Sequence, residues 1–151
     1  MIGKLDVVDH RARIIAQSSV GFSISCIMNL SVGGGVFMKI QVSELEHGLR
    51  LITLNGQLDG TGVYSVEVDF IRNCVEGAHN VLVDLSNVSY ISSIGIPMLI
   101  RTAKMVKQRG GKLALLNPQH NVLDVLDLVG VSRIIPVFYD HKAAMVGMSD
   151  E

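Results

Sequence analysis

A chain of 151 residues, 48 % of them apolar, has room for one ordinary domain with a real core. Its formal net charge of -1 lacks the basic excess that accompanies nucleic-acid binding, and it has no polyacidic tail, so protein partners are expected and direct DNA or RNA binding is not. The two cysteines, Cys26 and Cys74, form no CxxC pair and sit in no His/Cys cluster of metal-ligand spacing, which fits a reducing cytosol, calls for no metal and leaves both as structural residues.

At the N-terminus, Lys4, Arg11 and Arg13 precede an uncharged stretch from Ile14 to Phe37, the outline of a signal peptide or a membrane span. Gln17, Ser18, Ser19, Asn29 and the triplet Gly33-Gly34-Gly35 interrupt it, and a spanning helix would carry all of these into hydrocarbon. Residues 1–37 are therefore read as an N-terminal extension without membrane insertion, and 38–151 as the folded domain. Met38-Lys39 is a candidate alternative translation start.

From Met38 onward the pattern is regular. Ile40 and Val42 alternate with polar neighbours, as do Leu49, Leu51 and Leu54, and His47-Gly48 between the two runs predicts a hairpin. Gly56-Gln57-Leu58-Asp59 closes the second strand. The apolar period then switches to Val63, Val66, Phe70, Cys74, which is helical, so a βα unit is expected with Asp59 capping a helix that begins near Thr61. Val81-Leu82-Val83 reads as a strand buried on both faces, with Asp84 closing it. Met98, Leu99, Ala103 and Val106 line one side of the next helix, Lys104, Lys107 and Arg109 lie off that side, and Gly110-Gly111 stops it. Leu113 to Leu116 predicts a buried strand, Val122 to Gly130 a helix, Ile134-Ile135-Pro136-Val137-Phe138 an edge strand, and Asp140 to Val146 a short final helix. The order implies a single small layered α/β domain, a four-to-five-stranded mixed sheet with helices packed on it.

The informative stretch is Val81 to Gly95. A buried strand delivers a Ser-Ser pair to a turn, and a helix begins directly after it. Either Ser92 or Ser93 suits an N-cap, and Pro97 fits the first turn, where its missing N–H costs nothing. A helix N-terminus presents free N–H groups and partial positive charge, so a phosphate written on this turn would be tolerated while the surface gains about -1.5 to -2 charge.

The run Val81-Leu82-Val83-Asp84-Leu85, Val88, Tyr90-Ile91-Ser92-Ser93, Gly95-Ile96 resembles the central signature of STAS domains, the family of bacterial anti-sigma factor antagonists. Its strand is followed by an Asp-Ser-Ser/Thr-Gly or Ser-Ser-Ala-Gly turn. Gly56-Gln57-Leu58-Asp59 is similar to the family's earlier Gly-x-Leu-Asp loop, and Leu128-Val129-Gly130-Val131 with Ile135-Pro136-Val137-Phe138 to its C-terminal end. The resemblance covers Met38 to about Gly147. It implies a cytoplasmic, non-enzymatic regulator that needs no cofactor. Unmodified, such a protein sequesters an anti-sigma factor serine kinase of the histidine-kinase-like ATPase fold; the kinase phosphorylates it, and a phosphatase reverses the change.

Carried over by position, the resemblance puts the phosphoacceptor at Ser93, with Ser92 as the fallback, and partner contacts at Asp59, Ser92, Ser93, Ile94, Gly95 and Ile96. The chain departs from the family in having Ser92 where an aspartate is usual, Ile94 at the second hydroxyl position, and Pro97 after Gly-Ile. A STAS subunit of a lipid-transport ABC complex, bound to its ATPase, is the alternative that the same resemblance allows. A hydrolase built on Ser93 would need a base that the spacing does not supply. Asp84 reads as a loop anchor. His47, His79 and His120 fall in turns and helix starts as solvated residues, and neither a GxxxxGK[ST] loop nor a strand-linked GxGxxG occurs.

Overall fold

Alternation along each strand sorts side chains onto the two faces of one sheet, and the helices cover those faces unequally. The computed structural model describes residues 25–29, 38–77 and 80–149. Strands β1 (Ser25–Asn29), β2 (Lys39–Glu44), β3 (Leu49–Leu58), β4 (Asn80–Ile91), β5 (Leu113–Leu116) and β6 (Val137–Phe138) lie side by side in that order. β1, β2 and β3 pair antiparallel, and β3 through β6 pair parallel. The expected mixed sheet is β2 to β6. The sixth strand, β1, comes from the segment expected to be an extension, the rest of which lies outside the described residues, as does His79.

Helices α1 (Gly60–Val75), α2 (Gly95–Gln108), α3 (His120–Leu128) and α4 (His141–Ser149) complete the described chain. Val81, Val83 and Leu85 of β4 point into a core shared with Val63, Val66, Phe70 and Cys74 of α1, Met98, Leu99 and Val106 of α2, and Val122 and Leu126 of α3. Leu82 turns to the other face, where Ala114 and Leu116 meet Ala144 and Met148 of α4. Three helices thus cover one face and one short helix the other. Among the described residues, no helix is long and apolar enough to cross a membrane.

The hairpin between β2 and β3 turns through Glu46–Gly48, with His47 at φ 62° and Gly48 at φ 73°. Behind it, Arg50 reaches across to the C-terminal end of α1. Its guanidinium donates to the Asn73 carbonyl at 2.6 Å and the Glu76 carbonyl at 3.2 Å while pairing with Glu44 at 2.5 Å. A cation there satisfies carbonyls that the helix leaves unpaired and opposes its dipole. Cys74 lies buried on the same helix. Burial pushes its thiol well above the ordinary cysteine range, with Arg50 acting in the opposite sense, so the structural reading of Cys74 agrees with its surroundings.

Two expectations are corrected. Asp84 does not close β4, which continues to Ile91. The register against β3 shifts twice, between Thr53 and Asn55 and between Gly56 and Gln57. Asp84 Oδ1 accepts the Ser86 N–H at 2.9 Å, and side-chain amides of Gln119 and Asn121 donate to the Ser86 and Ser89 carbonyls, so side chains supply partners where the ladder is irregular. The edge strand around Pro136 shrinks to Val137–Phe138, because Ile134 and Ile135 belong to the turn that follows α3. Ile135 is buried and Ile134 is exposed.

Candidate functional site

Parallel pairing of β3 with β4 brings their C-terminal ends together, with Leu58 opposite Ile91. The residues that follow each strand, Asp59 and Ser92, are neighbours for that reason. Asp59 Oδ1 accepts the Gly62 N–H at 2.8 Å and so caps α1, which begins at Gly60.

The Leu58 carbonyl joins the two loops. It accepts the Ser92 N–H at 3.0 Å and the Ser92 hydroxyl at 3.1 Å. Ser92 also organises the start of α2. Its Oγ accepts the Ile94 N–H at 3.1 Å, and its carbonyl accepts from Gly95 at 3.1 Å and Ile96 at 3.4 Å. Of the two serines that suit the cap, only Ser92 bonds this turn; Ile94, the residue directly before α2, supplies no side-chain cap. Pro97 lacks an N–H, and the N–H groups of Ile94, Gly95 and Ile96 at this helix end are engaged by Ser92.

Ser93 is left in a different state. It is exposed, and among the described residues none is hydrogen-bonded to its hydroxyl. Ile94 beside it is 52 % exposed, Asp59, Ser92 and Ile96 are half-buried, and Gly95 is buried. Gly95 is a packing requirement and not a contact surface: a Cβ there would lie 2.8 Å from the Leu58 carbonyl oxygen and 2.9 Å from Leu58 Cβ. The six residues expected to meet a partner are thus gathered at one end of the sheet, but only Ser93 and Ile94 stand fully outward.

Removing the Ser92 hydroxyl tests this division of labour. Ser92→Ala keeps the backbone bond to Leu58 and loses the side-chain bond, leaving the Ile94 N–H without its acceptor. A loss of about 1 kcal/mol is expected in urea denaturation, together with faster hydrogen exchange of the Ile94 amide. Unchanged exchange at Ile94 would contradict the clamp.

His47, His120 and His141 occupy a turn and two helix starts, and no group of three or more potential metal ligands occurs among the described residues. Sequence reasoning missed Tyr64, 89 % exposed, and Val68, 74 % exposed, on the outer side of α1. The signal was available, since both fall outside the buried period of Val63, Val66, Phe70 and Cys74.

The STAS domain profile matches residues 40–144, and the chain belongs to that family. Curated relatives include the anti-sigma F factor antagonist of Paenibacillus polymyxa, 28 % identical over 109 residues that cover 70 % of this chain and 91 % of the relative. Another is the anti-sigma-B factor antagonist of Bacillus subtilis strain 168, 28 % identical over 102 residues, covering 66 % of this chain and 90 % of the relative. Among solved structures, a STAS domain protein from Planctomyces limnophilus superposes with a TM-score of 0.66 at 22 % identity, covering 76 % of this chain and all of that one. An anti-sigma factor antagonist from Mycobacterium paratuberculosis gives 0.67 at 20 % identity, covering 80 % and 100 %. The two structures establish the likeness of fold.

Proposed function

We propose that this chain is an anti-sigma factor antagonist, a cytoplasmic binding protein and not an enzyme, whose Ser93 turn holds an anti-sigma factor serine kinase when unmodified. Phosphorylation of Ser93 by that kinase, of histidine-kinase-like ATPase fold, releases it, and a phosphatase resets the switch. The unit that carries this activity is residues 38–151.

One observation carries the reading: of two adjacent serines, Ser92 has its hydroxyl committed to Leu58 and Ile94, while Ser93 offers an exposed one. Phosphate on Ser92 would break both bonds and set a charge against a carbonyl oxygen, whereas phosphate on Ser93 breaks none. The names of the curated relatives support the same role. Asp59, half-buried beside the turn, and the outward Ile94 supply further contact.

The test is incubation of the full chain with ATP and an anti-sigma kinase from the same genome, followed by peptide mass mapping. Phosphate on Ser93 in the parent, and none in Ser93→Ala, is the expected result. Incorporation that persists in Ser93→Ala would move the acceptor elsewhere and end the proposal.

A further inference from the structure

The Ser93 turn is one end of a longer exposed face. Ile94 Cδ1 lies 3.5 Å from where a Cβ on Gly60 would stand, so the first residue of α1 sits beside the last residue before α2. Four and eight residues beyond Gly60, on the same side of α1, come Tyr64 and Val68. Glu67 of that helix pairs with Arg101 of α2, and Arg101 lies two turns beyond Ile94 on α2's matching side. Ile94, Tyr64 and Val68 thus form an apolar band along two adjoining helices, bridged by one ion pair. All three are exposed, Ile94 by about half and Tyr64 and Val68 by more.

On the α1 side of this face Glu67 is taken up by Arg101, and the charge left over is positive. α2 carries Arg101, Lys104 and Lys107, all exposed, and no acidic residue. Among the described residues, neither Lys104 nor Lys107 has a carboxylate partner. The dipole of α2 accounts for Lys107 in its last turn and Glu67 for Arg101, but neither accounts for Lys104. An aromatic and aliphatic band flanked by unpaired cations suits a protein surface that presents apolar and acidic side chains together.

Resting on the function proposed above, we infer that the α1–α2 face is a docking surface for the same kinase, which seats apolar and acidic side chains along Ile94, Tyr64, Val68 and Lys104 while its active site addresses Ser93. The turn supplies the reacting hydroxyl, and the face supplies residence and selectivity. Exposed aromatic side chains of this kind are where binding energy concentrates once they are covered.

The experiment is steady-state phosphorylation of the full chain by the kinase that modifies the parent, with KM and kcat measured separately. Tyr64→Ala combined with Val68→Ala is expected to raise KM by about tenfold or more with kcat little altered. Lys104→Glu is expected to raise KM at low salt, and the effect shrinks as salt rises. Leu128→Ala, on a residue 85 % exposed at the far end of α3, serves as the control whose KM stays at the parent value. All four positions are exposed, so circular dichroism should report parent-like folding for each variant. An unchanged KM in the double variant overturns the docking surface while leaving Ser93 as acceptor. No phosphorylation of the parent overturns the Ser93 reading and the docking surface with it. Capture of the parent by phosphatidylserine vesicles, lost in Lys104→Glu with KM untouched, would reassign the face to a membrane and also overturn it.

Discussion

Ser93→Asp is expected to weaken kinase binding by at least about thirtyfold, on the order of 2 kcal/mol or more, while the thermal midpoint stays near the parent value. The two halves of this result have separate physical causes. Ser93 is exposed and holds no hydrogen bond in the fold, so a carboxylate in its place breaks nothing and the protein tolerates it. Binding suffers because a covered carboxylate must shed water without a paired cation. The N–H groups of Ile94, Gly95 and Ile96 are spoken for by Ser92, and Arg101, two turns along, is paired with Glu67. Asp59 nearby adds repulsion. Ser93→Ala removes the hydroxyl without adding charge and is expected to bind like the parent. Isothermal titration with the purified kinase, alongside a melting curve for each variant, separates the two effects. If Ser93→Asp binds as tightly as the parent, charge at this turn is not the switch.

The engaged donors bear on how the proposed switch would operate. With free N–H groups at the head of α2, a phosphate would be drawn in and partly neutralised by the helix. Ser92 occupies those of Ile94, Gly95 and Ile96, so a modified Ser93 would find none of these three free to draw its charge inward. In this chain the usual aspartate of the family turn is a serine that donates to the Leu58 carbonyl, which an ionised carboxylate cannot do. One substitution thus removes a negative charge beside the proposed acceptor and adds a clamp between the two loops.

Much of this arrangement was legible in the residues. The change of apolar period after Asp59 marked the βα unit and its cap, because a helix buries every third or fourth position whatever it packs against. Gly110 was equally readable: at φ 88° it follows α2 and sends its N–H to Lys107, while the Gly111 N–H reaches Val106. What the sequence concealed depends on partners distant along the chain. Asp84 looked like the end of a strand because the continuous apolar run stops there. β4 nevertheless continues seven residues further, carried by pairing with β3 and by amides from Gln119 and Asn121. Ser92 and Ser93 are equivalent by composition, and only the Leu58 carbonyl, 34 residues upstream, tells them apart. The α1–α2 face is passed over for a related reason: Tyr64 and Val68 are apolar residues off the core side of an amphipathic helix, a visible departure that the pattern identifying a core discards.

The largest expected loss of stability comes from a methyl group. A Cβ at Gly62 would lie 1.8 Å from the Gln57 carbonyl oxygen and 2.9 Å from Met38 Cγ. Met38 is 1 % exposed and has little room to retreat, and the Gln57 oxygen is backbone, fixed by β3. The first turn of α1 must therefore lift away from the end of β3. Lifting it would break the bond from the Gly62 N–H to Asp59 Oδ1 and draw Asp59 out of register with the Ser92 clamp. Gly62→Ala is expected to cost about 3 kcal/mol or more, at the upper end of overpacking substitutions, and to reduce phosphorylation of Ser93 although Ser93 itself is untouched. Thr61→Ala is the control. It is one residue away and exposed, and should unfold within about 0.5 kcal/mol of the parent. Urea denaturation of the two variants measures the difference. Parent-like stability in Gly62→Ala would mean that α1 does not sit this close to β3, and with that the packing that holds Asp59 beside Ser93 would be lost.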